Sequence, residues 1–273
     1  QVWRGGQADF RMSEHDGDLR VFSSDFDWNN VDFVDHHLIV LREAPNRPEL
    51  EIVGQLPNAT RPQPIGKPNE QLYGVRFLGD RAYAVTFEQI DPLYVFDLAD
   101  PTDPLIAGEL EIPGFSDFLH PVTDELLLGL GTDVGGSVKL ELFDVSTMSA
   151  PLSRGQVVIS NASSEARWDR HAFTWQPDVN GVDRFAIPAT VNNSSAAQVS
   201  YETALHLFEI HDKTLPNLAS LVPVGNIAPT ANGATPWAER NRAFVHDDAV
   251  FYVRDEVVWS AFWGSPDQVN GPY

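Results

Sequence analysis

Short apolar runs, each closed by Gly, Pro, Asp or Asn, recur along this chain, and no segment sustains a helical period. The clearest set lies at 76–121: a turn at Gly79 and Asp80, an apolar run at 82–87, a turn at Asp91 and Pro92, then runs at 93–98 and 105–112. Runs of this length, rich in Val, Tyr, Phe, Leu and Ile, predict strands. Together they predict one antiparallel unit of short strands.

A near copy follows. Phe96 and Phe143, Asp97 and Asp144, Pro104 and Pro151, and Gly108 and Gly155 are each separated by the same interval, and Phe208 with Pro216 repeats the internal spacing. Four-stranded units recurring at this period are propeller blades. The predicted fold class is therefore all-β, a β-propeller of about five four-stranded antiparallel blades or part of a larger ring. It is one domain over 1–273, with blades near 7–58, 70–114, 115–160, 164–224 and 236–263 and an N-terminal strand in 1–6. The last blade shows three strands, at 243–245, 249–254 and 257–262. The Pro-rich stretch 59–70 predicts a surface linker and the small polar stretch 191–200 a surface loop.

Composition narrows the function classes. The formal charge of −21 repels phosphate backbones and anionic lipid surfaces, which speaks against a nucleic-acid partner. With 39 acidic residues and three lysines (Lys67, Lys139 and Lys213), the chain suits either a protein that stays hydrated in salty surroundings or one encoded by a G+C-rich genome, which also favours Arg over Lys. The lack of cysteine fits an exported protein, secreted or periplasmic, that folds without oxidative help. No apolar run has the length of a membrane helix, so membrane insertion is not expected. Gln1, with no initiator Met or basic-then-apolar segment behind it, reads as the start of a mature or trimmed product.

The run GVRFLGDRAYAVTFEQIDPLYVFDLADPTDPLIAGELEIPGFSDFLHP, with MSEHDGDLRV upstream and LLLGLGTD and KLELFDVS downstream, resembles the secreted β-propeller proteins of archaea and bacteria. The similarity covers 10–188. It implies an exported propeller and no particular activity. Members carry a long N-terminal half ahead of the matched part. Two arrangements are open: five blades that close on themselves as a monomer, with Val2, Trp3 and Arg4 completing the last, or a piece of a larger ring. Closure is preferred, because an open ring leaves an unpaired edge strand.

Candidate chemistry is sparse. Asp25, Asp27 and Asn29 have the D-x-D-x-N spacing of a calcium loop, with Asp32, Asp35 and His36 as further ligands, although the usual glycine and the bidentate glutamate are missing. His36 and His37 could take copper or zinc only in a loop, since neighbours in a strand face opposite ways. His120 and His246 sit at predicted inner strand ends, and with His171 they could converge on a central channel. Asp97, Asp144 and Glu209 recur at one strand end, where a carboxylate accepting turn N–H groups is the expected role. Trp168, Trp175, Trp237, Trp259 and Trp263 are expected to pack between blades. No G-x-S-x-G, HExxH or phosphate-binding loop occurs. The expected function is a non-catalytic binding scaffold for a protein or small molecule, with calcium; the alternative is a metal-dependent enzyme using the channel histidines.

Overall fold

The computed structural model describes residues 8–27, 29, 33–87, 91–195, 198, 200–229, 240–254 and 256–273. Strands β1 (Met12–His15), β2 (Asp18–Phe26), β3 (Val34–Glu43) and β4 (Leu50–Leu56) form the first sheet in chain order. Its first hairpin turns on Asp16 and Gly17, both at positive φ, as a two-residue turn between twisted strands requires. The second sheet is β5 (Gln71–Leu78), β6 (Arg81–Phe87), β7 (Asp91–Asp97) and β8 (Leu105–Ile112). The third is β9 (Phe115–Thr123), β10 (Leu126–Thr132), β11 (Val138–Asp144) and β12 (Leu152–Ile159).

In the fourth sheet, β13 (Ala162–Ser163) and β14 (Thr174–Val179) both pair with β15 (Val182–Asn192), which continues into β16 (Tyr201–His211) and β17 (Ser220–Ile227). Two 3-10 turns, at Glu165–Arg167 and Arg170–Ala172, separate β13 from β14. The fifth is β18 (Arg242–His246), β19 (Ala249–Arg254), β20 (Val257–Phe262) and β21 (Ser265–Asn270). The chain is thus an all-β propeller of about five blades. Its last sheet has four strands where the hydrophobic pattern shows three. The outer strand reads SPDQVN and has no apolar run to announce it; only Pro266 is buried. Val2, Trp3 and Arg4 lie outside the described residues.

The chain divides into two compact units, Gln1–Leu127 with Asp144–Leu152, and Leu128–Phe143 with Ser153–Tyr273. The first is built around Phe22, Leu38, Leu56, Leu72, Tyr94 and Phe96, contributed by the facing sides of the first two sheets. In the second, Leu205, Leu207 and Ile227 pack against Val250, Tyr252 and Trp263. Period-two alternation produces both: Phe22 pairs with Leu38 and Leu38 with Leu56, so one face of three strands turns inward together. Every residue of β11 is buried, including Lys139, whose Nζ donates to Glu141 Oε2 at 3.0 Å from the same face.

The carboxylates at the recurrent strand end divide. Asp97 Oδ1 accepts from Ala99 N at 2.9 Å and Asp144 Oδ1 from Ser146 N at 3.0 Å, the turn role expected of them. Glu209 departs from it: its Oε1 accepts from Trp263 Nε1 at 2.8 Å and its Oε2 lies 2.9 Å from His211 Nε2. Glutamate's extra methylene lets it reach the fifth sheet. Arg184 lies over the Trp263 ring and donates to Asp248 at 2.7 Å. Trp259 is likewise buried, whereas Trp168 is exposed and Trp237 falls outside the described residues.

Candidate ligand clefts under the linker

The stretch between β4 and β5 is more than a connection. Ile65 is buried among Leu56, Leu72 and the other apolar residues of the first unit, and so anchors the middle of the linker. At its end the chain turns around a buried carboxylate. Glu70 Oε2 accepts from Lys67 N at 2.8 Å and from the Thr86 hydroxyl at 2.5 Å. Gly66, at φ +85°, passes so close to Thr86 that an added Cβ would sit 3.2 Å from its methyl carbon. Asn69 Oδ1 accepts from Phe33 N at 3.0 Å and ties the same turn to the entrance of β3.

Glu70→Ala is therefore expected to cost roughly 2–3 kcal/mol, because it strands a buried hydroxyl and a part-buried N–H. Glu70→Gln, which keeps an acceptor, should cost less than half of that in a urea melt; equal losses would rule out this pinning.

Pinned this way, the linker walls two clefts. One, of about 360 Å³, lies between residues 34–37 of β3 and residues 64–68, with Pro57 at its side. The other, of about 440 Å³, has an apolar floor of Leu56, Tyr94, Leu105 and Ile106 and a polar rim of Arg61, Gln63 and Glu109. Pro64 borders both. Arg61 is held by a two-pronged pair with Asp103. Burial, with Glu70, Glu109 and Glu111 nearby, pushes the Tyr94 phenol up, so it stays a neutral hydroxyl. An apolar floor with a few fixed polar groups suits a small amphipathic ligand.

His36 and His37 border the smaller cleft with opposite fates, as their alternation in β3 demands. His36 is 4% exposed. Its Nε2 donates to the Glu70 carbonyl at 2.8 Å, which leaves Nδ1 to accept from the Ser24 hydroxyl at 2.7 Å. Desolvation, with the Arg11 charge nearby, lowers its pKa and keeps the ring neutral. A hydroxyl bonded to an imidazole that is oriented by an acceptor is the arrangement of an activated nucleophile. Ser24, however, is only 2% exposed, so no substrate reaches its oxygen. His37 is half-buried, with Nε2 3.4 Å from Asp25 Oδ2.

Both ring nitrogens of His36 being bonded, it does not join Asp25, Asp27 and Asn29 around an ion. Asp27 Oδ1 accepts from Asn29 N at 3.0 Å and Nδ2 at 3.2 Å, and Asp32 lies outside the described residues. Of the channel candidates, His120 is shielded on β9 beside Phe118, and its pKa falls to about 4, through burial first and the Arg76 charge second. His171 is 71% exposed beside Asp169, and His246 is 81% exposed beside Asp247 at the end of β18. Among the described residues no three His, Asp or Glu side chains come together as a metal site, and no helix is long and apolar enough to cross a membrane.

Sequence reasoning missed the part played by the linker, since a Pro-rich polar stretch carries no periodicity. The available signals were Ile65, an isolated apolar residue amid prolines, and Glu70, a carboxylate directly before a strand.

An uncharacterized protein of Methanocaldococcus jannaschii is 37% identical to the chain over 166 residues, covering 61% of this chain and 25% of that protein. One of Archaeoglobus fulgidus is 40% identical over 164 residues, covering 60% and 23%. The chain thus spans about a quarter of the length of these curated relatives. Among solved structures, it is similar to the β-propeller domain of Nup133 from Vanderwaltozyma polyspora, at TM-score 0.40 and 9% identity over 89% of this chain and 70% of that one. The β-propeller domain of the trilobed protease from Pyrococcus furiosus aligns at TM-score 0.32 and 8% identity, over 98% and 84%. The Beta propeller domain family matches residues 7–265, a span that takes in the whole of the first four sheets and the first three strands of the fifth, and the chain belongs to that family.

Proposed function

We propose that this β-propeller is an exported, non-catalytic binding scaffold whose ligand, a small amphipathic molecule or a short segment of a partner protein, seats in the clefts under the linker. The observation that carries this reading is the pinned linker: Ile65 and Glu70 fix a loop over an apolar floor, so the cleft is preformed. Export is supported by the absence of cysteine and by the resemblance noted from the sequence. The alternative of a metal-dependent enzyme at His120, His171 and His246 has no clustered ligand set behind it among the described residues.

The direct test titrates the purified protein with N-phenyl-1-naphthylamine, a neutral amphipathic fluorophore, and follows its emission. Saturable binding is expected, weakened about tenfold or more by Leu105→Glu, which puts a charge on the apolar floor. Binding unaffected by that change would place the ligand elsewhere. Turnover of a substrate, lost in His37→Ala, would overturn the non-catalytic reading.

A calcium ion at Asp25, Asp27, Asn29 and Asp32 belongs to the proposal on the strength of their spacing alone. If it is bound, chelation lowers the unfolding temperature by several degrees, and calcium restores it where magnesium does not. An unchanged melt removes the ion and leaves the scaffold.

A further inference from the structure

A third recess, of about 350 Å³, opens at one end of the fourth sheet, wholly within the second unit. Strand register builds it. Ser163 pairs with Thr190 and Thr190 with Thr203, while two residues along Asn192 pairs with Tyr201. Residues two apart share a face, so hydroxyl, amide and phenol groups from three adjacent strands form one grid. The Thr190 and Thr203 hydroxyls are 2.8 Å apart. Asn192 Oδ1 accepts from Ser194 N at 2.9 Å, which fixes the plane of its amide. Asn161 closes the side, its backbone N donating to Ser137 Oγ at 3.0 Å. Beside Ser137, Gly136 stands at φ +83° with no atom within 4 Å of where a Cβ would lie, so the turn leaves the mouth open.

The chemistry of this lining differs from that of the rest of the chain. Among the described residues, every side chain lining the recess is uncharged, in a protein carrying 39 acidic and 18 basic residues. Asp133, at the base of the same turn, accepts from Gly135 N and Ser137 N at 2.9 and 2.7 Å. Amides and hydroxyls both donate and accept, so they match a ligand whose own groups are hydroxyls. A phenol ring offers a flat apolar surface to C–H groups. A cation would find no counter-charge in the lining, and an anion would be repelled by the net charge of −21.

We propose that this recess binds a neutral carbohydrate, with a pyranose ring lying on Tyr201 and its hydroxyls bonded by Asn161, Ser163, Thr190 and Asn192. The site is separate from the linker clefts and does not depend on their role. Leu105→Glu, which closes the apolar cleft, leaves it intact.

The test is saturation-transfer NMR and calorimetry of the whole chain with glucose, galactose, mannose and N-acetylglucosamine and their β-linked oligomers, and with glucuronate as the charged counterpart. At least one neutral sugar is expected to bind saturably, about tenfold more tightly than glucuronate. Tyr201→Ala and Asn192→Ala should each weaken it about tenfold, while Tyr201→Phe, which keeps the ring, changes it by no more than about threefold. Asn192 is exposed, so its variant keeps the test valid if loss of Tyr201 disturbs the fold. Absence of saturable binding by any neutral sugar up to ~100 mM, or binding that survives both alanine variants, would overturn the proposal.

Discussion

Gly54→Ala and Gly108→Ala are each expected to destabilise the first unit by roughly 3 kcal/mol or more, the upper end of what overpacking costs. A Cβ on Gly54 would stand 2.1 Å from the carbonyl oxygen of Pro101, and one on Gly108 would stand 2.3 Å from that of Met148. Neither neighbour is a side chain that could swing away. The two glycines are the same device in successive sheets. Val40 pairs with Gly54 but Leu41 with Ile52, and Val95 with Gly108 but Phe96 with Ile106, so each outer strand bulges by one residue beside its glycine. The turn between the last two strands of the following sheet closes onto that notch. The fourth sheet repeats the bulge, between Leu207 with Gly225 and Phe208 with Pro223, and there the ring of Pro266 sits 2.7 Å from the position of a Cβ.

Gly155 is the control, because it holds the equivalent place by sequence and nothing lies within 4 Å of its Cβ position. At φ +150°, Gly155→Ala should cost only backbone strain, roughly 1–2 kcal/mol. Urea midpoints of the three variants decide the matter. If Gly54→Ala and Gly108→Ala cost no more than Gly155→Ala, the notches are incidental.

These glycines also mark how far the sequence carried. The interval shared by Phe96 and Phe143, or by Gly108 and Gly155, is visible because each sheet solves the same packing problem with the same residues. Alternation in β2 and β3 gave strand and face together. What stayed hidden depends on partners distant in sequence. His36 looked like a metal ligand, yet its fate is set by Ser24 across the hairpin and by the Glu70 carbonyl beyond the linker. The neutral grid at Ser163, Thr190 and Tyr201 exists only once three strands are in register; along the chain it is a scatter of ordinary polar residues. Strand β21 was missed because an outer strand with one solvated face needs little apolar content.

Acid is expected to weaken the protein between pH 6.5 and about 4, from a pH at which its carboxylates are still ionised. His120 in the first unit and His206 on β16 in the second both have pKa values lowered to about 4, chiefly by burial. His36 is lowered for the same leading reason. Each folded-state value lies below that of the unfolded chain, so as pH falls through 6.5 the unfolded state takes up a proton that the folded state refuses. Stability is full above that pH, declines through the window and loses nothing further once the folded ring also protonates. A drop from 6.5 to about 4 corresponds to roughly 3 kcal/mol for each ring. Asp18 and Asp169, whose pKa values are held below the usual carboxylate range, contribute a separate loss at still lower pH.

The raw melting curve mixes this with relief of self-repulsion as the chain nears its isoelectric point of about 4.5, so the decisive comparison is between variants. His206 Nε2 makes no hydrogen bond within the protein, and His206→Leu therefore gives up no such bond at that nitrogen. Near pH 7 it should melt close to the parent. Near pH 4.5 it should be the more stable of the two by roughly 2–3 kcal/mol, which in a chain of this size is a difference of about 5–10 °C. Melting curves of parent and variant that fall in parallel from pH 7 to 4.5 would mean that the His206 ring is free to take a proton where it sits.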